Sequence, residues 1–324
     1  MAIAVISSLY RCEQHLPTFS AALFGLARRV SEAGLSVHFV PVVNDATRGE
    51  REGIERLAGE INARYYGRMT PLFVPRETLY ASWNRGLAAA QAPFFTFWNA
   101  DDIRSAEAFI EGYKALHDGA NLVDFDYTRV AQIRRFGLLP RQQRIPVACM
   151  FDGEGVTRRA GIGPFFMASK ALYTHVGPFD PNFEVAGDTE WASRALPAVR
   201  FQRGRRNGGD FVVHGDNLSN TGGEREDIEV NIIFMRRRAW GQLRPANPTA
   251  MREAWERWGN PRQIRLPAAE ADFLWGAQAE RRWKRYQRER SQAPFLRRLR
   301  LSLAARGLIH SVEWSMAQRG RGQR

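Results

Sequence analysis

Cysteine is scarce in this 324-residue chain: Cys12 and Cys149 are the only two, and no C-x-x-C spacing occurs. Two thiols so far apart build neither a disulfide framework nor a thiolate metal site, and a reducing, cytoplasmic compartment is the expectation. Long apolar runs are missing too. No stretch reaches the roughly 18 residues that a membrane-spanning helix needs. The opening "MAIAVISSLY" has no basic segment before its short apolar run and reads as a first strand, not a signal peptide. There is no G-x-G-x-x-G after that strand and no G-x-x-x-x-G-K-[ST] anywhere, which excludes the usual dinucleotide and P-loop phosphate cradles. A G-x-S-x-G nucleophile motif is absent as well.

Positive charge, by contrast, is abundant. Lys and Arg number 47 against 34 Asp and Glu, a formal net charge of +13. Such a balance points to an anionic partner: nucleic acid, anionic lipid or a phosphorylated substrate. The excess is uneven, because arginine dominates from Arg281 to the C-terminus while the first hundred residues mix both signs. A hydrophobic fraction of 44% is ample for a buried core, and the length suits one large domain or one domain with a tail.

Residues 1–225 alternate strand and helix signals. "IAVISSLY", "SVHFVPVVND", "TPLFVP", "PFFTFWNADD" and "ANLVDFDYTRVAQI" are short β-rich runs. "LPTFSAALFGLARRVSEAG", "TRGEREGIERLAGEINARYYG", "TLYASWNRGLAAAQA" and "SAEAFIEGYKALHDG" carry apolar residues at helical spacing between them. This alternation predicts right-handed βαβ units, an α/β fold and a mainly parallel sheet. Ligands of such sheets bind beyond the carboxyl ends of the strands. Ser7-Ser8, Asn44-Asp45 and Asn99–Asp102 each follow an apolar strand, so they are expected along one rim. Adjacent carboxylates there can hold a hard divalent cation that neutralises phosphate oxygens. The competing reading makes an Asp or Asn of this trio the N-cap of the next helix, with Ser105 as another cap candidate. Arg104, just beyond the acids, is placed to reach a phosphate.

Four stretches, "VISSLYRCEQHLPTFSAAL", "VVNDAT", "SWNRGLAAAQAPFFTFWNADD" and "FEVAGDTEWASRAL", occur in an order that resembles the family 2 glycosyltransferases of GT-A fold. The resemblance covers roughly residues 1–220. It implies a Rossmann-like, mainly parallel mixed sheet flanked by helices, and inverting transfer of a sugar from a nucleotide diphosphate sugar, a UDP-sugar first among donors. In the family the acidic motif binds Mg²⁺ or Mn²⁺ on the diphosphate. Here Asn99 takes its first place, Ala100 the middle and Asp101 the last, with Asp102 adjacent. Asp101 and Asp102 are thereby implied as metal ligands, and His214 in "HGDNLS" as a third. Asp45 is implied to accept hydrogen bonds from base or ribose. Ser7 to Tyr10 would touch the nucleotide, with Tyr10 on the base and Arg11 near the diphosphate. Asn84 resembles the family's helix asparagine, serving either the donor or the fold. Asp188 is implied as the base that deprotonates the acceptor hydroxyl, with Glu190 the runner-up.

Residues 226–324 read as a helical, basic extension. In "FLRRLRLSLAARGLIHSVEW", Phe295, Leu296, Leu299 and Leu303 recur near helical spacing beside arginines. That pattern suits an anionic membrane surface or a helix docked on the catalytic domain. The acceptor, a saccharide or a lipid-linked molecule of cell-surface polysaccharide or lipopolysaccharide synthesis, is expected to use residues 135–165. Two other readings compete: a nucleic-acid-binding protein and a catalytically silent GT-A domain. Nucleic acid is not the expected partner, because strand-end acids repel phosphates and no RRM, KH or zinc-finger signature occurs.

Overall fold

A computed structural model describes residues 2–133, 141–149, 151, 162–213, 223–236, 247–257 and 268–292. The chain divides into two compact units, Met1–Asn217 and Leu218–Arg324.

The first unit is built on a ten-stranded mixed sheet. Its strands are β1 (Ile3–Tyr10), β2 (Val37–Asn44), β3 (Gly67–Met69), β4 (Leu72–Val74), β5 (Phe94–Phe97), β6 (Ile103–Arg104), β7 (Leu122–Ile133), β8 (Arg141–Val147), β9 (Met167–Ser169) and β10 (Phe201–Val213). The spatial order is β3-β2-β1-β5-β9-β7-β10-β6, with β4 also on β2 and β8 on β7. Pairings of β1 with β2 and β5, of β2 with β3 and β4, and of β7 with β10 are parallel. β9 runs antiparallel to both β5 and β7, so the carboxyl ends of β1, β2, β5, β7 and β10 point to one edge.

The helices of this unit are α1 (Leu16–Glu32), α2 (Arg48–Arg64), α3 (Leu79–Ala89), α4 (Ala106–His117), α5 (Lys170–Val176) and α6 (Gly187–Ala195). The apolar stripes of α1, α2 and α4 pack with Ile3, Val5 and Leu9 on one face of the sheet. Ala4 and Ile6 alternate to the other face, as strand geometry requires. There Tyr80 and Trp83 of α3 meet Phe97, Phe179 and Trp191 in an aromatic cluster. Gly86 lets α3 lie against β1, since a Cβ at that position would stand 2.5 Å from the Ile6 side chain.

The strands read from continuous apolar runs are all present, and β2 is buried along its whole length. Sequence reading did not anticipate β3, β6 or β8. The expected third strand is β4, and β3 precedes it on the same edge of β2. The second unit contains helices Gly223–Arg236, Pro248–Arg257, Ala268–Trp275 and Ala277–Gln292. Trp255 and Trp275 lie 5.5 Å apart within it. Among the described residues no helix is long and apolar enough to cross a membrane. The segment "FLRRLRLSLAARGLIHSVEW" lies outside the described residues.

Candidate functional site

The rim begins where β1 and β2 end together, Tyr10 opposite Asn44. Immediately past each strand the backbone turns into the left-handed region, with φ +48° at Arg11 and +43° at Asp45. A left-handed arginine costs of order 1–3 kcal/mol and persists only where its surroundings over-determine it. Glu50 supplies part of that constraint. It is buried, closes a capping box with Thr47 at the start of α2, and accepts from the Cys12 amide at 2.5 Å. The turn after β1 is thus tied to the helix after β2.

Asn44 and Asp45 divide the work at the end of β2. Asn44 is buried and holds the fold: its amide donates to Leu9 O (3.3 Å) and Ser82 Oγ (3.1 Å), and its oxygen accepts from Glu77 N at 3.0 Å. Asp45 is exposed and accepts from Arg76 N at 2.9 Å. Arg76 carries its guanidinium back over the Tyr10 ring, 4.5 Å from the centroid, and Arg11 lies 5.2 Å from the same ring. Tyr10, Arg11, Asp45 and Arg76 therefore form one cluster. Arg76 was not singled out from sequence. Its signal is positional, since it lies between the end of β4 and Thr78, the N-cap of α3.

The acidic stretch follows β5, whose Phe97 aligns with Ile6 of β1. Ser105 caps α4 by accepting from Ala108 N, so none of Asn99, Asp101 or Asp102 is spent as that cap. Asp102 is buried. It accepts from Asn99 Nδ2 (2.9 Å) through one oxygen and from Val212 N of β10 (3.0 Å) through the other. Burial first, and the neighbouring Asp101 carboxylate second, push its carboxyl well above the ordinary range. The expected ligand role of Asp102 is corrected accordingly: it ties the acidic loop to β10. Asp101 is half-buried in the same loop. Two adjacent acids, one of them bonded on both oxygens, fall short of the ligand set that holds a hard divalent cation. Among the described residues no third His, Cys, Asp or Glu joins them, and His214 lies outside the described residues.

Arg104 also departs from expectation. It is 7% exposed, and its Nη1 and Nη2 donate to Phe97 O (3.1 Å) and Phe165 O (2.8 Å). Burial lowers its pKa to about 9, opposed by Asp102 and Asp124. It braces the end of β5 from inside the core and does not reach the rim. Ser7 alternates with Val5 and Leu9 toward the α1 face and is buried, whereas Ser8 lies within 3.4 Å of the Asn44 amide.

Asn84, implied for donor or fold, serves the fold. It donates to Phe179 O at 2.8 Å and accepts from Phe179 N and Tyr173 Oη, both at 3.0 Å, docking the segment after α5 onto α3. The same helix positions α6. Thr78 Oγ1 donates to Pro181 O and Tyr80 Oη to Val185 O, each at 2.9 Å. A Cβ at Gly187 would stand 2.5 Å from the Tyr80 ring, so only glycine lets α6 begin there. Asp188 follows in the first turn, half-buried, with Oδ1 accepting from Thr189 N at 2.6 Å. Glu190 is buried in a two-pronged pair with Arg194 (2.8 and 2.9 Å), whose guanidinium also holds Val176 O and Pro178 O. A carboxylate held on both oxygens is poorly placed to take a proton, so the runner-up assignment is set aside. Contacts from Asn44 through Glu77 and α3 thus tie the start of α6 to the end of β2. Of the stretch expected to hold the acceptor, β8 is an edge strand on β7, with Arg144 paired to Asp210 at 2.6 Å.

No family model matches the chain, and no curated protein matches it. Solved structures do. Mannosyltransferase PcManGT from Pyrobaculum calidifontis, in complex with GDP-Man and Mn²⁺, is 13% identical, with a TM-score of 0.54 over 98% of this chain and 84% of that one. S. aureus TarS 1–349 in complex with UDP is 12% identical, with a TM-score of 0.52 over 100% of this chain and 92% of that one. Against a longer TarS chain the match spans 40% of its length. At such identities the likeness speaks to architecture: the chain has the GT-A glycosyltransferase fold.

Proposed function

We propose that this protein is an inverting glycosyltransferase that moves a sugar from a nucleotide diphosphate donor to a hydroxyl of a saccharide or lipid-linked acceptor. The observation that supports the reading is the cluster of Tyr10, Arg11, Asp45 and Arg76 at the carboxyl ends of β1, β2 and β4, with Asp101 following β5, the parallel strand on the other side of β1. Binding of UDP by TarS and of GDP-Man by PcManGT supports a nucleotide-sugar donor. In this reading Tyr10 offers an aromatic wall for the base, Asp45 accepts from base or ribose, and Arg11 and Arg76 meet the diphosphate. The Mn²⁺ of PcManGT supports a divalent ion here. Asp101, with the Asn99 side-chain oxygen, would hold Mg²⁺ or Mn²⁺, which when bound offsets diphosphate charge.

Asp188 accepts the proton of the acceptor hydroxyl. The oxygen forms its bond to the anomeric carbon from the face opposite the diphosphate. The bond from that carbon to the diphosphate oxygen breaks, and the electron pair leaves with the nucleotide. No covalent sugar–enzyme intermediate is required. Placement in cell-surface polysaccharide or lipopolysaccharide synthesis belongs to the same proposal.

The test is a thermal-shift screen over UDP-, GDP- and TDP-sugars with and without Mn²⁺, followed by donor turnover. Binding to the folded state raises the melting point by mass action. Asp101→Ala and Asp188→Asn should each abolish turnover, and Asp188→Asn should keep the donor-induced shift. A protein that binds donor yet never turns it over would be a silent GT-A domain instead.

A further inference from the structure

We propose that the helix Ala277–Gln292 carries a membrane-contact face that binds anionic lipid headgroups. This inference goes beyond the transferase reading and stands on separate observations. At 100° per residue, Arg281, Lys284, Arg285 and Arg288 fall within an arc of about 100° on the helix. All four are exposed. They extend over about 10 Å of axis at 1.5 Å per residue. Glu280 and Glu289 flank the arc in sequence, one on each side, and Glu280 pairs with Lys284 at 4.0 Å.

The opposite side of the helix is used by its own unit. Ala279 is buried, Trp283 and Tyr286 stack at 5.4 Å, and the Arg282 guanidinium lies 3.9 Å over the Phe273 ring. The cationic arc is therefore the outward face of a helix anchored from behind. A row of basic side chains on a convex surface meets a plane of anionic headgroups without rearrangement.

Two observations favour lipid over nucleic acid. The aromatic pair is half-buried and stacked on itself, so it offers no platform for bases. The sequence directly beyond Gln292 then interleaves Phe295, Leu296, Leu299, Leu301 and Leu303 with Arg297, Arg298 and Arg300. Apolar residues so mixed with arginine suit a bilayer interface.

Each basic group near an anionic leaflet strengthens binding about fivefold. The experiment is co-sedimentation of the full chain with vesicles of phosphatidylcholine and phosphatidylglycerol in equal parts, against phosphatidylcholine alone. A variant carrying Arg281→Gln, Lys284→Gln, Arg285→Gln and Arg288→Gln should lose affinity for the anionic vesicles by a hundredfold or more, on the order of fivefold per residue compounded. A control carrying Arg28→Gln, Arg48→Gln, Arg56→Gln and Arg64→Gln makes the same charge change on the exposed sides of α1 and α2; it should bind nearly as the wild type does. Both should retain the wild-type circular dichroism and melting point. The proposal is overturned by absent vesicle binding, by equal binding to neutral vesicles, by equal losses in the two variants, or by tighter binding to duplex DNA or polyphosphate than to anionic vesicles at one salt concentration. Donor turnover is measured separately, so failure of either reading leaves the other intact.

Discussion

Arg104→Met is the perturbation whose size the structure sets most directly. The guanidinium is buried, with Nη1 on Phe97 O and Nη2 on Phe165 O, and its Nε has no hydrogen-bond partner. Hydrogen bonds from a charged donor contribute about 1.5–3 kcal/mol each, so the two lost contacts remove about 3–6 kcal/mol. Relief of the unpartnered Nε returns about 1–3 kcal/mol. Asp102 and Asp124, both buried, lose the cation that faces them. Removing one member of a buried charge group typically costs about 3–5 kcal/mol. The net expectation is a loss of about 3–10 kcal/mol, and even the low end lowers the melting point by roughly 6–12 °C for a unit of this size. Thermal denaturation at pH 7 followed by circular dichroism reads it. Combining Arg104→Met with Asp124→Asn should cost less than the sum of the two single changes, because the neutral side chain no longer needs the cation. A melting point for Arg104→Met within a degree of wild type would refute the bracing role and return Arg104 to the rim as a phosphate contact.

Gly187→Ala forces a methyl against the Tyr80 ring, which is itself wedged against Trp83 and Phe179. It should cost about 1–3 kcal/mol in a melt and lower donor turnover by displacing Asp188, and Tyr80→Leu should recover part of the stability. Asn84→Ala strips the partners from Phe179 N and O and should destabilise by about 2 kcal/mol in urea titration. His38 should make stability depend on pH. It accepts from Gln91 N at Nδ1 and lies 3.0 Å from Thr70 Oγ1 at Nε2, an arrangement that suits the neutral ring. Burial first, then Arg68, lowers its pKa below the ordinary 6.5. A depressed histidine contributes stability that is present above pH 6.5 and lost as pH falls toward its folded-state value, with a slope of at most about 1.4 kcal/mol per pH unit. His38→Gln should flatten that slope in denaturant titrations run from pH 7 to pH 5. At the rim, Asp45→Gly should weaken donor binding in the thermal-shift assay while leaving the melting point without donor nearly unchanged, since Asp45 is exposed, its side chain bonds a loop amide, and glycine adopts the left-handed backbone there without strain.

How much of this was legible in the sequence divides along a physical line. Strands buried on both faces announce themselves as unbroken apolar runs, and β1, β2, β5 and β7 were read that way. β8, with the sequence RQQRIPV, is a polar edge strand containing a proline, and β6 is two residues long. Neither has a periodicity to detect, because each is held by its pairing with a longer strand, β6 with β10 and β8 with β7. The helix caps were readable for a different reason: Ser105 bonds to a neighbour three residues away, so its role is local.

The site followed the same rule with a sharper consequence. Parallel strands bring their carboxyl ends to one edge, so any polar residue directly after an apolar run has a known address. Orientation is not fixed by address, since adjacent residues face opposite ways and a partner far along the chain decides which one the fold consumes. Asn44 is spent on α3 and Asp45 is left at the rim. Asp102 is spent on Val212, 110 residues away, and Asp101 stays half-buried. Glu190 is spent on Arg194 and Asp188 stays half-buried in the first turn of α6. In each pair the residue taken by the fold is buried and bonded on both oxygens or on several atoms, and its neighbour is the more exposed of the two. Arg104 fits the pattern as well, for an arginine two places past an acid pair looks like a phosphate contact until Phe97 O and Phe165 O claim it. Doubled polar residues at strand ends are therefore best treated as one structural and one functional position. Substituting each member alone should then separate them: loss of melting temperature for the inner residue, loss of donor binding or turnover for the outer.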